Sequence, residues 1–463
     1  MMKFGSLFAL ANLILGSAAF AAVEPVAPWK PHRQPDWSTV FNDQVAAPTT
    51  VFETSVAKNR VQEVLTDPDN RVDQAFKVPR PLIHVSRFWA RVYSQWTSQE
   101  TVIYDSHHPE VIYDVLDHRE LVMKGVPVGK RERVIQAALQ TRLNQVRQIL
   151  KKWADTVPAG QKPIAKTALE RRVLSALSLS THSHSLAQSW ERVRVQRGLR
   201  DSVARGLTLS NQYLRKMEEV FREFDLPVEL TRISLVESSF NPEAVSRLGA
   251  VGAWQFLEAS GREFMTVDPR RGIDERKSPL KSAVAAAKLL ARNHKRLGSW
   301  PLTVTSYHHG LRGIWKAKRE GWKSDRLWSE FDFCNKDSSM GWASQNYYAE
   351  FLALSHVVAY QDIFFGNTPV PSTKSVIFSV VPARQSALFF AKKSGLSINE
   401  FMKFNPDILN TKQLLPAGFW VVLPVESTDE DLLRKSLRRY LNADRPRLSL
   451  LSNPQKQKSH RVN

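Results

Sequence analysis

A glutamate closes the apolar face of a predicted helix in the segment LPVELTRISLVESSF, residues 226–240. Leu230, Ile233 and Glu237 stand at positions i, i+3 and i+7, so they share one helix face. Pro227 suits the first position of a helix, and one short helix is therefore predicted. Because a buried carboxylate needs a partner or a changed protonation state, Glu237 is a candidate for acid–base chemistry.

A second group of chemically useful residues lies in GAVGAWQF, residues 249–256. Gly249 and Gly252 allow the backbone to come close to another group. Trp254 and Gln255 follow directly, and this pair offers a stacking surface and an amide that orients a polar ligand. A third group, Ser306-Tyr307-His308, stands further along the chain.

Each candidate also has an ordinary structural explanation. Taken alone, Glu237 fits a helix-end carboxylate satisfied by Arg232 or Arg247, and Trp254 and Tyr307 fit core positions. The histidine pairs lack a nearby cysteine or a His–Glu pattern at helix spacing, so no metal site is expected. No phosphate-binding or dinucleotide-binding motif stands out, and no cofactor is expected.

The chain of 463 residues carries 65 Lys and Arg against 45 Asp and Glu, a formal charge of +20. This excess favours a polyanionic partner: nucleic acid, an anionic membrane surface or an acidic cell-wall polymer. Residues 1–21 are typical of a secretory signal peptide with Ala19-Phe20-Ala21 as its cleavage site; an uncleaved anchor is the alternative. Cys334 is the single cysteine, so no intrachain disulfide forms, which fits export to a bacterial periplasm. Export argues against nucleic acid.

Six regions are predicted along the chain, and the fold class is mainly α. The regions are a signal peptide (1–21), a proline-rich linker with a mixed N-terminal region (22–125), a helical region (126–225), a central region rich in Gly, Trp and polar residues (226–368), a βααβ module (374–424) and a basic tail (425–463).

The mixed N-terminal region contains a candidate hairpin. VIYD occurs twice, at 102–105 and 111–114, around a proline-containing turn, which predicts a hairpin unless the second copy begins a helix.

The basic tail is predicted to be a partly disordered cationic arm. From Arg434 onward it holds nine basic residues against one acid, Asp444. Such an arm fits peripheral association with a membrane or with the cell wall.

Taken together, Glu237-Ser238, GAVGAWQF and Ser306-Tyr307-His308 resemble the three-part signature of the soluble-lytic-transglycosylase (SLT) domain. The resemblance is closest to the membrane-bound lytic murein transglycosylase D-like group and covers about residues 190–365. The βααβ module is similar to LysM peptidoglycan-binding repeats, although it lacks their usual Gly-Asp-Thr. The resemblance implies a lysozyme-like α catalytic domain, preceded by a helical N-terminal region and followed by the LysM-like module.

The activity implied by this resemblance is cleavage of the β-1,4 bond between N-acetylmuramic acid (MurNAc) and N-acetylglucosamine (GlcNAc) in peptidoglycan glycan strands, leaving 1,6-anhydro-MurNAc ends. One carboxyl, Glu237, is then acid and base in turn, and an apolar wall raises its pKa by desolvation. The resemblance also implies that Ser238 positions the substrate or supports Glu237, and that Gln255 hydrogen-bonds a sugar or an acetamido group. Tyr307 is then expected to orient Glu237 or the bound sugar, and Gly252 and Trp254 to shape the floor of the cleft. His308 is expected in the same substrate site.

One position departs from the family, which usually has Tyr-Asn where this chain has Tyr307-His308. Three interpretations stay open: His308 keeps the substrate contact as a donor, favours a different acetylation state, or weakens turnover. Two other functions also stay open. A hydrolase like goose-type lysozyme needs a second carboxylate, for which Asp274 and Glu275 are the candidates. A peptidoglycan-binding scaffold needs no catalysis at all.

Overall fold

The computed structural model describes residues 55–158, 160–178, 186–319, 341–366, 374–426 and 429–443. The predicted signal peptide, the proline-rich linker, Cys334 and the last part of the basic tail lie outside the described residues. The described chain is mainly α, as the sequence predicts. The described residues fall into two compact units, one within residues 1–204 and 304–366 and the other within residues 205–303 and 367–463.

Helices and strands are numbered here in chain order. The helices are α1 (Ser55–Thr66), α2 (Ile83–Ser94), α3 (Arg119–Met123), α4 (Val128–Thr156), α5 (Ala168–Ser178), α6 (Arg200–Arg222), α7 (Ile233–Ser238), α8 (Glu258–Phe264), α9 (Pro279–Leu297), α10 (Trp300–His309), α11 (Leu311–Arg319), α12 (Trp342–Ala359), α13 (Gln361–Phe365), α14 (Ala387–Lys393), α15 (Ile398–Phe404) and α16 (Glu430–Asn442). The strands are β1 (Glu100–Asp105), β2 (Ile112–Asp117), β3 (Val193–Arg197), β4 (Val267–Asp268), β5 (Ile273–Asp274), β6 (Ser375–Val380), β7 (Gln385–Ser386), β8 (Leu414–Leu415) and β9 (Trp420–Val425).

The first unit combines a three-stranded sheet with helices. Its strands run in the order β2-β1-β3, and β1 pairs with both neighbours in the antiparallel sense. The predicted hairpin is confirmed, because the second VIYD copy starts β2 rather than a helix. Helix α4 lies in the predicted helical region and places Leu150 and Trp153 in a core with Ile103 and Tyr113. That region (126–225) is not helical throughout, because its residues 193–197 form β3 by pairing with β1.

Helices α2 and α12 form the other half of this unit. Trp89 of α2 donates from Nε1 to Oδ1 of Asn346 at 3.2 Å. Phe351 of α12 meets Phe76 edge-on, with ring centroids 5.1 Å apart. The α2 and α12 helices are joined by a further ring contact between Trp89 and Trp342, with centroids 6.2 Å apart, whereas Phe76 packs on α12 from the segment before α2.

The second unit contains α7, α8, α9, the two-stranded β4–β5 sheet and the βααβ module. Helix α9 has Pro279 as its first residue and is capped by Ser278, whose hydroxyl accepts from the N–H of Lys281. It is closed at its other end by Gly298 in a left-handed conformation. These are ordinary start and stop signals of a helix. Its alanine-rich face is fully buried, so neighbouring segments approach it closely.

The module has the predicted order of strand, two helices and strand. Strands β6 and β9 pair antiparallel over six residue pairs, and α14 and α15 lie between them in the chain. Helix α16 packs against β6, where Tyr440 stacks on Phe378 with ring centroids 4.0 Å apart. This corrects part of the predicted disordered tail, since Leu437 and Tyr440 are buried and hold residues 430–442 in a helix.

Within the described ranges, no helix is both long enough and apolar enough to cross a bilayer.

Candidate active site

Glu237 lies in the last turn of α7, within the second unit. The sequence predicts one helix here, but the segment forms a 3-10 turn over Val228–Arg232 and then the six-residue α7. Tighter i→i+3 bonds are common at helix starts, and Thr231 reinforces this one by donating from its hydroxyl to the Val228 carbonyl at 2.6 Å. Leu230 and Ile233 are fully buried and Glu237 is half-buried, so the predicted apolar face exists and ends on the carboxyl.

Ser238 connects α7 to the 249–256 loop. Its hydroxyl is 1% exposed, donates to the Ala253 carbonyl at 2.9 Å and accepts from the N–H of Asn241 at 2.9 Å. A hydroxyl used in this way is not presented to a ligand. Of the two expected roles, support of Glu237 therefore fits this geometry and direct substrate contact does not.

The two residues that follow Ser238, Ser239 and Phe240, adopt a left-handed backbone conformation although neither is glycine. Ser239 has φ 48° and Phe240 has φ 56°, and the N–H of Phe240 closes the helix on the Ser234 carbonyl at 3.1 Å. Each such residue costs roughly 1–3 kcal/mol of local strain, and such strain is concentrated at functional sites. The turn formed by these two residues sets the direction in which the chain continues after Glu237.

Sequence reasoning missed the residue that makes room for this turn. Gly206 of α6 faces the Ser239 carbonyl so closely that a Cβ there would lie 2.2 Å from its oxygen. A glycine in the interior of a helix lowers helix propensity and is the sequence signal that could have drawn attention to it.

The 249–256 loop is held by hydrogen bonds from the side chain of Arg276. Its guanidinium donates to both carboxylate oxygens of Asp274 (2.9 and 2.8 Å) and to the carbonyls of Gly249 (3.1 Å) and Phe256 (3.3 Å). Gly252 has φ 81°, and a Cβ there would lie 2.0 Å from the Arg276 carbonyl oxygen. The close backbone approach predicted for the glycines is thus observed at Gly252, and its partner is protein backbone.

Gln255 is oriented by the loop itself. It has φ 48°, and its Nε2 donates to the carbonyls of Gly252 (2.9 Å) and Ala244 (3.3 Å). With the amide nitrogen anchored, the carbonyl oxygen of this half-buried side chain is the atom that can accept a hydrogen bond from a ligand.

Trp254 has a different role from the predicted stacking surface. Its ring is fully buried, lies 5.7 Å from the ring of Phe221 in a stacked arrangement, and donates from Nε1 to the Pro279 carbonyl at 3.3 Å. A buried ring cannot stack on a sugar. The structure therefore corrects that expectation: Trp254 supports the loop from the core, because the backbone turns its side chain away from the surface that carries Gln255.

Tyr307 and His308 stand at the end of α10, in the part of that helix that belongs to the first unit. Both are half-buried. His308 stacks on the buried ring of Tyr347, with centroids 5.0 Å apart. Burial, helped by the neighbouring His309, lowers the pKa of His308 to about 4, so its imidazole is neutral near pH 7 and keeps one N–H donor.

The two carboxylates proposed for a hydrolase are already engaged. Asp274 is 4% exposed and paired with Arg276 through two hydrogen bonds. Glu275 is 3% exposed, accepts from the N–H of Thr266 at 2.7 Å and lies 3.4 Å from the ammonium of Lys281. Neither carboxylate is placed to activate a water molecule.

Comparison with known families identifies this region. Residues 218–328 match the family model of the transglycosylase SLT domain. The match contains Glu237, Gly252, Gln255 and the Tyr307-His308 pair. The chain therefore carries an SLT domain, the class of catalytic domain that the sequence signature indicates.

The chain is also similar to two curated relatives, both named membrane-bound lytic murein transglycosylase D. They come from Escherichia coli strain K12 and Escherichia coli O6:H1 strain CFT073. Each is 27% identical to this chain over 221 residues, which cover 46% of this chain and 46% of the relative. The chain thus spans about half the length of the curated relatives that it matches.

Proposed function

We propose that this protein is a peptidoglycan lytic transglycosylase that cleaves the MurNAc-β-1,4-GlcNAc bond and leaves 1,6-anhydro-MurNAc ends. The observation that carries the proposal is the SLT match over residues 218–328, which contains Glu237 at the half-buried end of an apolar helix face. The names of the two relatives point to the same substrate.

Glu237 is the single acid and base of the proposed reaction. In the first step the protonated carboxyl gives its proton to the glycosidic oxygen as the C1–O bond breaks, and the N-acetyl group of MurNAc stabilises the positive charge at C1. In the second step the carboxylate takes the proton of the C6 hydroxyl while that oxygen bonds to C1. The proton returns to Glu237, and no water is consumed.

The other predicted residues support this chemistry in two ways. Ser238, Gly252 and Trp254 hold the shape of the segments around Glu237 through buried contacts. Gln255 offers an acceptor, and His308 offers a neutral N–H donor in place of the usual asparagine amide. We propose that Gln255, Tyr307 and His308 contact the sugar or its acetamido group.

The engaged state of Asp274 and Glu275 weighs against a hydrolase that needs a second carboxylate about 6.5–9.5 Å from the first. A scaffold without catalysis rests on His308 alone. We also propose, from the predicted signal peptide and the proposed substrate, that the protein acts in the bacterial periplasm or cell envelope. The βααβ module is then a LysM-like contact to the wall, and the basic tail is an additional contact to wall or membrane.

The test is mass spectrometry of muropeptides released from purified sacculi by the wild-type chain and by the Glu237→Gln variant. Anhydro-MurNAc products are expected from the wild type and are expected to vanish in the variant, because the amide cannot donate or take the proton. A suitable matched control is Glu258→Gln, which changes an exposed carboxylate paired with Arg262 in the same unit and is expected to keep activity.

Two results would contradict the proposal. Reducing ends in place of anhydro ends would indicate a hydrolase. Intact binding to sacculi without any product would indicate a scaffold.

A further inference from the structure

The βααβ module shares a continuous core with the segment that supports the active-site loop. Ile273 is 2% exposed and belongs to the apolar core of the module, with Phe401, Ile408 and Leu415. The backbone is joined as well: Asp274 N–H donates to the Asp407 carbonyl at 2.8 Å, and Leu409 N–H donates to the Gly272 carbonyl at 2.9 Å. Residues 272–274 therefore extend the module as an added strand segment.

A buried ion pair reinforces this connection. Lys281, in the first turn of α9, is fully buried; its ammonium donates to Oδ2 of Asp407 at 2.5 Å and to the Trp420 carbonyl at 2.6 Å. Glu275 lies 3.4 Å from the same ammonium, and the ring of Phe419 lies 4.3 Å from it. Asp407 and Trp420 belong to the module, whereas Lys281 and Glu275 belong to the SLT domain.

The same segment also contains Arg276, which holds the 249–256 loop by hydrogen bonds. Asp274 and Arg276 are consecutive partners in this series of buried interactions, and Arg276 holds the carbonyls of Gly249 and Phe256. Ser238 then ties the loop to the end of the helix that carries Glu237. Hydrogen bonds and short backbone segments therefore connect Asp407 to Ser238, the chain neighbour of Glu237, within one compact unit.

We propose that the βααβ module is a structural part of the catalytic unit, and that Asp407 and Lys281 are positioning residues for the 249–256 loop. This inference rests on the proposed function, since it assigns a role in catalysis to a module otherwise expected to bind only the wall. A tethered wall-binding module would leave turnover of short glycans untouched. A module that shapes the loop changes turnover even where wall binding plays no part.

The experiment compares the full chain with its Asp407→Asn and Lys281→Met variants. Its substrate is a short soluble peptidoglycan oligosaccharide, on which kcat and KM are measured below the unfolding temperature of each protein. We expect kcat to fall about ten- to a hundredfold in both variants, because small displacements of positioned groups have effects of this size. Asp431→Asn, which changes an exposed carboxylate of the same unit, is the matched control and is expected to keep the wild-type kcat.

Amide hydrogen exchange of residues 249–256 gives a readout that does not depend on activity. Protection of these amides is expected to fall in both variants and to stay unchanged in Asp431→Asn. Because removing one partner of a buried pair is strongly destabilising, and Lys281 also faces buried Glu275, a triple variant removes all three charges where a single variant does not fold. This variant is Lys281→Met with Asp407→Leu and Glu275→Gln. It is expected to fold and to retain the kcat defect.

The outcomes separate the two proposals. Wild-type kcat together with wild-type protection of the loop in the folded variants would overturn the positioning role. A wild-type chain that releases no anhydro product would overturn the proposed function, and the exchange measurement alone would then decide whether the module holds the loop.

Discussion

At the scale of single residues, Glu237 differs in burial from Asp274 and Glu275, the two carboxylates considered for a hydrolase. Asp274 and Glu275 are almost fully buried and paired with cations, so they stabilise the fold around the loop. Glu237 is half-buried beside the apolar residues of α7. A carboxyl that is both accessible and next to apolar groups is suited to proton transfer, whereas a fully buried carboxylate is out of reach of a substrate.

His308 gives the first residue-scale prediction, a dependence of stability on pH. Its pKa is about 4 in the folded state against 6.5 for the ordinary imidazole. Between these values the unfolded chain binds more protons, so the free energy of unfolding falls as the pH drops from 6.5 towards 4. A shift of this size corresponds to something on the order of 3 kcal/mol.

We expect His308→Asn to lose less stability than the wild type over this pH range, measured by urea unfolding at several pH values. His118 keeps its own contribution in the variant, because burial also lowers its pKa to about 4. Identical pH slopes for the two proteins would contradict the burial of a neutral imidazole at position 308. Activity of the same variant on acetylated and deacetylated sacculi tests whether His308 sets the acetyl preference.

At the scale of elements, the conformation of the 249–256 loop depends more on Gly252 than on Gly249. Gly249 and Gly252 both have positive φ, at 78° and 81°. Among the described residues, open space surrounds the Cβ position of Gly249, while that of Gly252 is blocked by the Arg276 backbone. The pair therefore separates conformational strain from steric exclusion within one loop.

Gly252→Ala is expected to destabilise the protein by at least about 2 kcal/mol, since strain at positive φ adds to a backbone displacement. Gly249→Ala, the matched control, carries the strain alone and is expected to lose about 1 kcal/mol. Urea midpoints measure both effects, and muropeptide release reports whether the displaced loop also slows turnover. Equal losses in the two variants would argue against the close approach to Arg276.

At the scale of the whole molecule, the charge of +20 predicts how the protein would be attracted to the proposed substrate. Peptidoglycan carries lactyl and peptide carboxylates, and long-range attraction to such a polymer weakens as salt screens it. Arg434, Lys435 and Arg439 are exposed on α16 and add to this positive surface.

We expect binding to sacculi, measured by co-sedimentation, to weaken at least about tenfold between about 0.01 M and about 1 M salt, as the Debye length shrinks from about 30 Å to about 3 Å. Replacing Arg434, Lys435 and Arg439 by glutamine should flatten this dependence, and Lys435→Arg should leave it unchanged. Salt-insensitive binding would remove charge as the basis of recruitment.

Local patterns predicted a large share of this structure. The hairpin, the long helix α4, the βααβ order and the apolar face ending in Glu237 follow from periodicities of two and 3.6 residues and from turn residues near them. The signature residues were found because they stand close together in sequence within each motif. The same local reasoning misjudged the tail, where a short amphipathic stretch becomes a helix only by packing Tyr440 on Phe378.

The sequence by itself determined which residues carry the candidate chemistry, because residue type and spacing are local properties. Only the tertiary structure decided how those residues are used. The side chain of Trp254 is buried in the core, and the carboxylate of Asp274 is paired with Arg276. Lys281 binds Asp407, which lies 126 positions away in the sequence. Interactions over such distances depend on how whole elements pack, and no short stretch of sequence records which distant group will fill a buried site.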